Sequence, residues 1–362
     1  MTAKLCALAQ FHQRCGRLVC RTVGMADASV KTTGGISEYP AQVPSGALLS
    51  SFGAGPRSHD AAVRADSSAF IVNSRSGGGL GRRLLVALRE RVGTDRVADL
   101  TDTDLATWAR RWADRAEALI ACGGDGTVAA LLEAVHQAGA STPVGVIPLG
   151  TGNDLGRIAQ MPLDGHIESA WGALNRATPR ALDRWILRGP AGVRAWFNYC
   201  SWGVDARIAE RFHRIRNHHG WWCRSRAANL LAYAGAGLQE SGDPIALHAS
   251  GHGLPAIPTW MRSLVVLNIP SYAGGRQLGA RVSCDDGYCD VFALGAGVAL
   301  GLALSGRRQP HRLGRHRHVE VRLRRPAFLQ LDGEPMLAAT GAYTISQAGQ
   351  VLLLAGAARL PG

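Results

Sequence analysis

Apolar positions follow one repeating unit through the first half of the chain, starting at Phe70. Each unit is a short apolar run, a glycine-rich turn and a segment with apolar residues at helical spacing. In the second unit, Val128, Leu131 and Val135 fall at positions i, i+3 and i+7. Three such units occur before Pro162. Because parallel strands are joined by crossover helices, the pattern predicts an α/β layer with a parallel sheet.

Beyond about residue 180 the pattern changes to that of strands with little helix between them. Val319, Val321 and Leu323 alternate with charged residues, and the apolar run 264–269 ends at Pro270. Such alternation is typical of antiparallel sheets with one buried face. The second half is therefore predicted to be mostly antiparallel β, with one helix over about residues 206–238.

Residues 1–66 are rich in Gly, Ala, Ser and Pro and are predicted to be an extension ahead of two domains, residues 67–180 and residues 181–362. Up to Met25 this extension carries basic residues and no carboxylate. That composition fits an organelle transit peptide, and it fits an unstructured tail equally well. Both interpretations remain open.

The charge balance points to an anionic partner. The 362 residues include 40 Lys and Arg against 27 Asp and Glu, a formal net charge of +13, which favours nucleotide, nucleic acid or acidic lipid. Only Lys4 and Lys31 are lysines, and both precede the first predicted domain. A P-loop, a protein kinase and a pyridoxal Schiff-base enzyme each need a lysine in the fold, so these classes are excluded.

The eight cysteines form no CxxC pair, which indicates neither a zinc finger nor a disulfide framework and favours a reducing compartment. No apolar run reaches the roughly 18 residues that a membrane span requires. We therefore expect a cytoplasmic protein, or an organellar one if the extension is a transit peptide.

Three glycine-rich turns carry the candidate chemistry: residues 73–81, 123–127 and 150–154. Each follows a predicted strand and opens a helix, where free backbone N–H groups favour anions, so a nucleotide site is predicted at this edge of the sheet. Asp125 brings negative charge into the second turn, which favours a cation bridging the carboxylate to phosphate; a helix cap is the structural alternative. Thr127 is placed either to cap a helix or to donate to phosphate.

These turns resemble a known family. The segment GGDGT (123–127), followed by PLGTGNDLGR (148–157), is similar to the catalytic domain of eukaryotic-type diacylglycerol kinases, and FIVNSRSGGGLG (70–81) resembles the opening segment of that domain. Further matches follow in order through the accessory domain of the family: residues 197–213, 267–275, 285–291, 331–336 and 345–354.

The resemblance implies a two-domain lipid kinase that transfers phosphate from ATP to the free hydroxyl of 1,2-diacylglycerol, giving phosphatidic acid and ADP. Its fold would be an α/β nucleotide-binding domain with a parallel sheet, then a mostly antiparallel β accessory domain, with the active site in the cleft between them. The last strand is a candidate to return to the first domain.

The resemblance also assigns roles to single residues. Asp125 would help hold the catalytic Mg²⁺, and Asp154 would face the lipid hydroxyl. Asp285 and Asp286 resemble a turn that binds a structural Mg²⁺ in some members, although adjacent carboxylates in a turn are also commonly just solvated. The residues expected beside ATP are Asn73, Ser76, Gly77, Gly123, Gly124, Asp125, Gly126, Thr127, Gly150, Thr151, Gly152 and Asn153.

Glu334 is the candidate general base. It follows Asp332-Gly333 at the end of a strand run and precedes Pro335, so a turn presents its side chain. A positioned carboxylate can accept the proton of an attacking hydroxyl during phosphoryl transfer. Similar kinases place their proposed proton acceptor at this Glu, whereas the local sequence fits an ordinary turn acid equally well.

Arginine clusters suggest how a membrane substrate is reached. The expected partners are diacylglycerol in a membrane and an anionic lipid surface, with solvated helix and strand faces as the alternative. Trp221 and Trp222 are candidates to insert beside the first cluster. The clusters are Arg207, Arg211, Arg214, Arg216, Arg224 and Arg226, then Arg307, Arg308, Arg312, Arg315, Arg317, Arg322, Arg324 and Arg325.

Three rival functions remain beside this hypothesis. A sphingoid-base or ceramide kinase shares the glycine-rich Asp turn, NAD kinase shares GGDGT alone, and a catalytically inactive relative would bind lipid or nucleotide without turnover. A nucleic-acid binder is not expected, because the sequence contains no helix-turn-helix or RNP-like motif.

Overall fold

The structure is a computed structural model that describes residues 62–218, 247–250, 254–278, 282–295 and 310–356. The helices are α1 (Leu80–Val92), α2 (Leu105–Trp112), α3 (Asp125–Gln137), α4 (Asp154–Ile158), α5 (Ile167–Leu174) and α6 (Val204–His218). Within these residues no helix combines the length and the apolar character needed to cross a bilayer.

Seventeen strands occur in the described part of the chain. They are β1 (Ala69–Val72), β2 (Val97–Asp99), β3 (Leu119–Gly123), β4 (Val144–Pro148), β5 (Thr178–Gly189), β6 (Gly192–Trp196), β7 (Tyr199–Gly203), β8 (Leu247–Ser250), β9 (Ser263–Leu267), β10 (Ser271–Tyr272), β11 (Arg276–Gln277), β12 (Cys289–Leu294), β13 (His311–His316), β14 (His318–Leu323), β15 (Ala327–Leu331), β16 (Glu334–Ala338) and β17 (Gly341–Ala355).

A nine-stranded mixed sheet runs through both halves of the chain, in the order β2-β1-β3-β4-β17-β14-β8, with β5 paired to β17 and β6 to β5. Strands β1 to β4 are parallel, which confirms the predicted α/β layer. The last strand returns to it: β17 is parallel to β4 at Leu353 and antiparallel to β5 and β14.

The α/β layer is held together by a buried core on both faces of the parallel strands. Every residue of β1, β3 and β4 is buried, as expected when helices cover both faces of a parallel sheet. Phe70 of β1 stacks on Trp171 of α5, with the ring centroids 5.7 Å apart. Val63 and Ala65, which precede the predicted domain start, are buried in the same core.

The second half adds a six-stranded antiparallel sheet, in the order β13-β12-β9-β7-β15-β16. Its inner face packs Trp202 and Val266 against Val321 and Ile345 of the nine-stranded sheet. Strand β14 alternates exposed and buried positions, as its sequence predicts. The prediction of a C-terminal, mostly antiparallel β region is confirmed.

Helix α6 covers the other face of the six-stranded sheet, where Ile208 is buried beside Val265 and Phe292. The helix predicted over residues 206–238 is present over Val204–His218. Several sequence predictions lie outside the described residues: the rest of that helix, the extension up to residue 61, Trp221, Trp222, Arg224, Arg226, Arg307 and Arg308. For Arg216 only the backbone is described.

Candidate active site

The three glycine turns meet at the carboxyl edge of the parallel strands, as predicted from the sequence. The turns after β3 and β4 touch backbone to backbone, since a Cβ built on Gly150 would lie 2.6 Å from the Cα of Gly124. Gly77, in the first turn, has φ +64° and lies against the carbonyl oxygen of Leu149. Glycine is required here because a side chain would separate the turns.

These turns form one wall of a cleft of about 1730 Å³. The opposite wall comes from α6, from the β15–β16 turn and from the turn between β10 and β11. Of the predicted site residues, those that line it are Asn73, Ser76, Gly77, Gly124, Asp125, Gly126, Thr127, Gly150, Thr151, Gly152, Asp154 and Glu334.

Two predicted nucleotide residues do not line the cleft. Gly123 is the last residue of β3 and packs against Thr127, whose Oγ1 would lie 2.4 Å from a Cβ at position 123. Asn153 is buried in a left-handed conformation, and its Nδ2 donates to the carbonyl oxygen of Gly150 at 2.7 Å. Both residues contact other residues of the turns and do not face the cleft.

Asp125 opens α3, but it does not cap that helix. Its Oδ1 accepts a hydrogen bond from the backbone N–H of Leu155 at 2.9 Å, so it stabilises the first turn of the neighbouring α4. Thr127 does not cap α3 either, because Gly124 occupies the N-cap. The Thr127 Oγ1 is buried and accepts from Asn73 Nδ2 at 3.4 Å, which ties the first turn to the second.

Asp154 is held by the second half of the chain. Its carboxylate accepts a short bond from Ser271 Oγ and bonds from the N–H groups of Gly274, at 3.1 Å, and Gly275, at 2.8 Å. It lies beside Asp125, because both carboxylates face Gly152: Asp125 Oδ2 and Asp154 Oδ2 would be 3.0 and 3.7 Å from a Cβ at that position.

Glu334 stands opposite the second glycine turn, at the start of β16. Its Oε1 would be 3.5 Å from a Cβ on Gly126, and its Oε2 is 3.7 Å from Nδ1 of His213 in α6. The side chain is 64% exposed, so a reactant in the cleft can reach it. The structure thus brings the candidate base to the N-terminus of α3, which is 209 positions away in the sequence.

Asp332 is a site residue that the sequence reasoning did not single out. It lines the cleft two positions before Glu334, in a left-handed conformation with φ +51°. Its carboxylate accepts backbone N–H bonds from Phe197, Asn198 and Tyr199 at 2.7 to 3.2 Å. The sequence did contain one indication of this residue, an Asp followed by Gly at the end of a strand. Its hydrogen-bond partners, however, lie more than 130 residues away in the sequence.

Burial and mutual repulsion shift the protonation of two carboxylates in the cleft. Burial, reinforced by the negative charge of Asp154, raises the pKa of Asp125 to about 7. Burial raises the pKa of Asp332 to about 6 despite its three backbone hydrogen bonds. Among the described residues, no arginine or histidine forms an ion pair with Asp125, Asp154 or Asp332.

This donor set fits a magnesium ion shared with phosphate. Mg²⁺ is usually bound by one or two carboxylates together with substrate phosphates, and a cation beside Asp125 would relieve the repulsion that raises its pKa. No three His, Cys, Asp or Glu side chains of the described residues converge on a ready-made metal site. Asp125 and Asp154 are the neighbouring carboxylates of the cleft that could hold such an ion.

Arginines supply the positive charge around the cleft, in place of lysine. Arg157 Nε donates to the carbonyl oxygen of Gly152 at 3.2 Å, which fixes one guanidinium beside the third turn. Arginines that line the cleft are Arg75, Arg82, Arg83, Arg157 and Arg276.

Asp285 and Asp286 lie at a different place, in the turn before β12. Asp286 pairs with Arg315 and accepts the N–H of Tyr288, while Asp285 accepts from Ser283 Oγ at 2.6 Å. The buried Asp183, which the sequence reasoning missed, joins this turn by accepting the N–H of Gly287 at 2.6 Å. The metal site predicted at Asp285 and Asp286 stays a prediction.

Comparison with known proteins finds matches over both halves of the chain. A family model described as the diacylglycerol kinase catalytic domain matches residues 67–185, and one described as the diacylglycerol kinase accessory domain matches residues 195–335. Human diacylglycerol kinase theta is 29% identical over 320 residues, which cover 77% of this chain and 34% of that protein. Diacylglycerol kinase 2 of Arabidopsis thaliana is 30% identical over 336 residues, covering 80% of this chain and 46% of that protein.

The fold matches that of a solved diacylglycerol kinase from Bacillus anthracis, with a TM-score of 0.56 at 14% identity, over 81% of this chain and 97% of that one. The class of protein is thus defined by its fold, an α/β layer joined to an antiparallel sheet with a cleft between them. The chain belongs to the diacylglycerol kinase family, which confirms the sequence resemblance. It spans less than half the length of these two curated relatives.

Proposed function

We propose that the protein is an ATP-dependent lipid kinase that phosphorylates the free hydroxyl of 1,2-diacylglycerol to give phosphatidic acid and ADP. One observation carries the proposal: Glu334, a solvent-accessible carboxylate, faces a turn that combines the free N–H groups of the α3 N-terminus with Asp125. The first feature serves an attacking hydroxyl, and the second serves the phosphates of the nucleotide.

The contacts of four groups in the cleft support a role for each of them in this reaction. The N–H groups at the start of α3 bind phosphate oxygens, and Glu334 accepts the proton of the acceptor hydroxyl. Asp154, held by Ser271, Gly274 and Gly275, orients that hydroxyl. Asp125 would hold Mg²⁺ together with the phosphates, and the ion would supply charge neutralisation at the transferred phosphoryl group.

The acceptor is a membrane lipid, so the proposal includes peripheral association of a cytoplasmic protein with an anionic membrane surface. Near such a surface each Arg contributes on the order of 1 kcal/mol. The described arginines do not all serve this purpose, since Arg312 pairs with Asp290 and Arg315 with Asp286. Arg214 of α6 likewise pairs with Glu210 at 2.6 Å, so ion pairing within the described residues does not single out one arginine cluster for the membrane surface.

The test is a lipid-phosphorylation assay on the purified chain. Protein, Mg²⁺ and labelled ATP are incubated with mixed micelles that contain diacylglycerol, sphingosine or ceramide, and with NAD in a parallel reaction. Labelled phosphatidic acid is the expected product. Phosphate on sphingosine, ceramide or NAD would replace diacylglycerol as the acceptor, and no labelled product from folded protein that binds ATP would indicate an inactive relative.

A further inference from the structure

The candidate base follows a turn of only two residues. Strands β15 and β16 form a hairpin in which Leu331 pairs with Glu334, so Asp332 and Gly333 alone connect the two strands. Both turn residues have positive φ, +51° and +87°, as in the tight hairpin turns where Asn-Gly and Asp-Gly are common. Because β16 is the edge of the six-stranded sheet, only β15 pairs with it in the described structure. The position of Glu334 therefore depends on how this turn is held.

The carboxylate of Asp332 holds the turn on the segment that joins β6 to β7. Its Oδ2 accepts the N–H of Phe197 at 2.9 Å, and its Oδ1 accepts those of Asn198 and Tyr199 at 2.7 and 3.2 Å. The backbone N–H of Asp332 donates in return to the carbonyl oxygen of Tyr199 at 2.9 Å. The turn itself does not require a carboxylate, because Asn is as favourable as Asp at this position.

The segment that supplies these N–H groups is fixed to both parts of the fold. Phe197 is buried in the core of the α/β layer, and its carbonyl oxygen accepts from Asn268 Nδ2 at 2.6 Å. Tyr199 begins β7, which lies between β9 and β15 in the six-stranded sheet. The α/β layer also carries α3, whose N-terminus Glu334 faces across the cleft. Asp332 thus connects the turn beside the base to the layer that carries the glycine turns.

We propose that Asp332 is a positioning residue for phosphoryl transfer: its hydrogen bonds to the backbone of residues 197–199 set the distance between Glu334 and the second glycine turn. A displacement of about 1 Å in a reacting group can cost on the order of 10²-fold in rate, so a residue can control turnover without touching the reactants. Both oxygens of Asp332 already accept backbone N–H groups, which favours this role over that of a magnesium ligand. The inference rests on the proposed function, since Glu334 acts as a base only if a hydroxyl is phosphorylated.

Asp332→Asn is the substitution that tests this role. Asn keeps the size of the side chain and suits the turn, but its amide presents one acceptor oxygen to three N–H donors. In steady-state kinetics, kcat should fall about tenfold while the KM for ATP changes less than about twofold. In a chain that already carries Glu334→Gln, adding Asp332→Asn should lower kcat by less than about twofold, because the position of a base that has been removed no longer affects the rate.

Asp104→Asn is the matched control. The carboxylate of Asp104, the N-cap of α2, also accepts a backbone N–H, that of Thr107 at 3.2 Å, and it lies outside the cleft, so kcat should not change. Hydrogen exchange gives a measurement that does not depend on turnover. The amides of Phe197 and Asn198 should exchange about tenfold faster in Asp332→Asn and at the wild-type rate in Asp104→Asn. Thermal unfolding establishes that each variant is folded, and Asp332→Gly, which suits a positive φ, takes the place of an unfolded Asp332→Asn.

Three results would overturn the positioning role. Unchanged kcat in Asp332→Asn would remove the residue from the reaction, and equal losses with and without Glu334→Gln would show that it acts independently of the base. A higher Mg²⁺ concentration needed for ATP binding would make it a metal ligand instead. If the wild-type chain phosphorylates none of the acceptors, the proposed function fails, and the exchange rates decide the Asp332 contacts: unchanged protection at Phe197 and Asn198 would contradict them.

Discussion

Two groups of buried acidic residues in this molecule are stabilised in opposite ways. In the cleft, Asp125, Asp154 and Asp332 accept hydrogen bonds from hydroxyl and backbone groups, and none of them pairs with a cation of the described residues. Around the turn before β12, the acidic residues have side-chain partners, which are arginines for Asp286 and Asp290 and glutamines for Asp183. Those contacts join Asp290 to Arg312 and Arg315, Asp286 to Arg315, and Asp183 to Gln347 and Gln350.

The difference separates a structural group from a functional one. A buried carboxylate without a cation is costly, and a fold built for stability alone would pair or replace it. Asp286 and Asp290 follow that rule by pairing with arginines, even though burial still raises the pKa of Asp290, whereas the partners of Asp183 in the described residues are glutamines and a backbone N–H group. The cleft departs from it, which is typical of sites that await a cation or a reactant.

The largest effect is expected at Glu334. Glu334→Gln keeps the size of the side chain but removes the proton acceptor, so turnover should fall about 10²-fold or more while Mg²⁺-ATP binding is retained. Steady-state kinetics and calorimetry measure the two quantities. Glu320→Gln, at a comparably exposed Glu of β14, is the control and should change neither. Unchanged turnover in Glu334→Gln would remove this residue from the reaction.

Arg312→Gln tests the paired group. The substitution leaves the buried carboxylate of Asp290 without its principal cation and should lower the free energy of unfolding by about 2 kcal/mol. Urea unfolding measures the loss, with Arg322→Gln at an exposed position as the control. A stability equal to that of the wild type would mean that the β12 turn is no more dependent on charge pairing than the cleft.

Asp125→Asn should act in the opposite direction on stability. The amide can still accept from the N–H of Leu155, and the repulsion from Asp154 is lost. The free energy of unfolding without nucleotide or Mg²⁺ should rise by about 1 kcal/mol near pH 7.5, while kinase turnover is lost. Destabilisation by this variant would show that the carboxylate is needed for the fold, and the contrast with Asp290 would disappear.

The pH dependence follows from the direction of the pKa shift. The folded-state pKa of Asp125 lies above the ordinary value of 3.8, so the native state holds this proton more tightly than the unfolded chain does. Its contribution to stability is present below pH 4 and is lost as the pH rises to about 7. The stability advantage of Asp125→Asn should therefore grow between about pH 5 and pH 8. A constant difference across that range would contradict the raised pKa.

The smallest effect is expected from Arg315, which faces solvent while pairing with Asp286 and Asp290. Arg315→Ala should cost about 0.5 kcal/mol, because solvent screens exposed ion pairs. Chemical denaturation in low and high salt should give a smaller loss at high salt. A larger loss at high salt would assign Arg315 a packing role rather than an electrostatic one.

Local patterns along the chain were sufficient for most of the α/β layer and for one wall of the cleft. The periodicity around Val128 predicts α3, and the apolar runs predict β1, β3 and β4. These predictions hold because the residues that are buried in each element follow the spacing of that element along the chain. The turns were recognisable because the contact between Gly124 and Gly150 admits no side chain. The absence of lysine from both domains excluded whole classes of kinase before any fold was known.

Tertiary structure decided the other wall and the charge of the site. Asp332, His213 and the partners of Asp154 come from segments more than 80 residues from the groups they meet, and no local spacing encodes such contacts. The sequence also gives Asp125 and Asp290 the same chemistry. Only the fold places an arginine beside one of them and leaves the other facing an open cleft, because burial and distance, which set the energy of a charge, are properties of the folded chain.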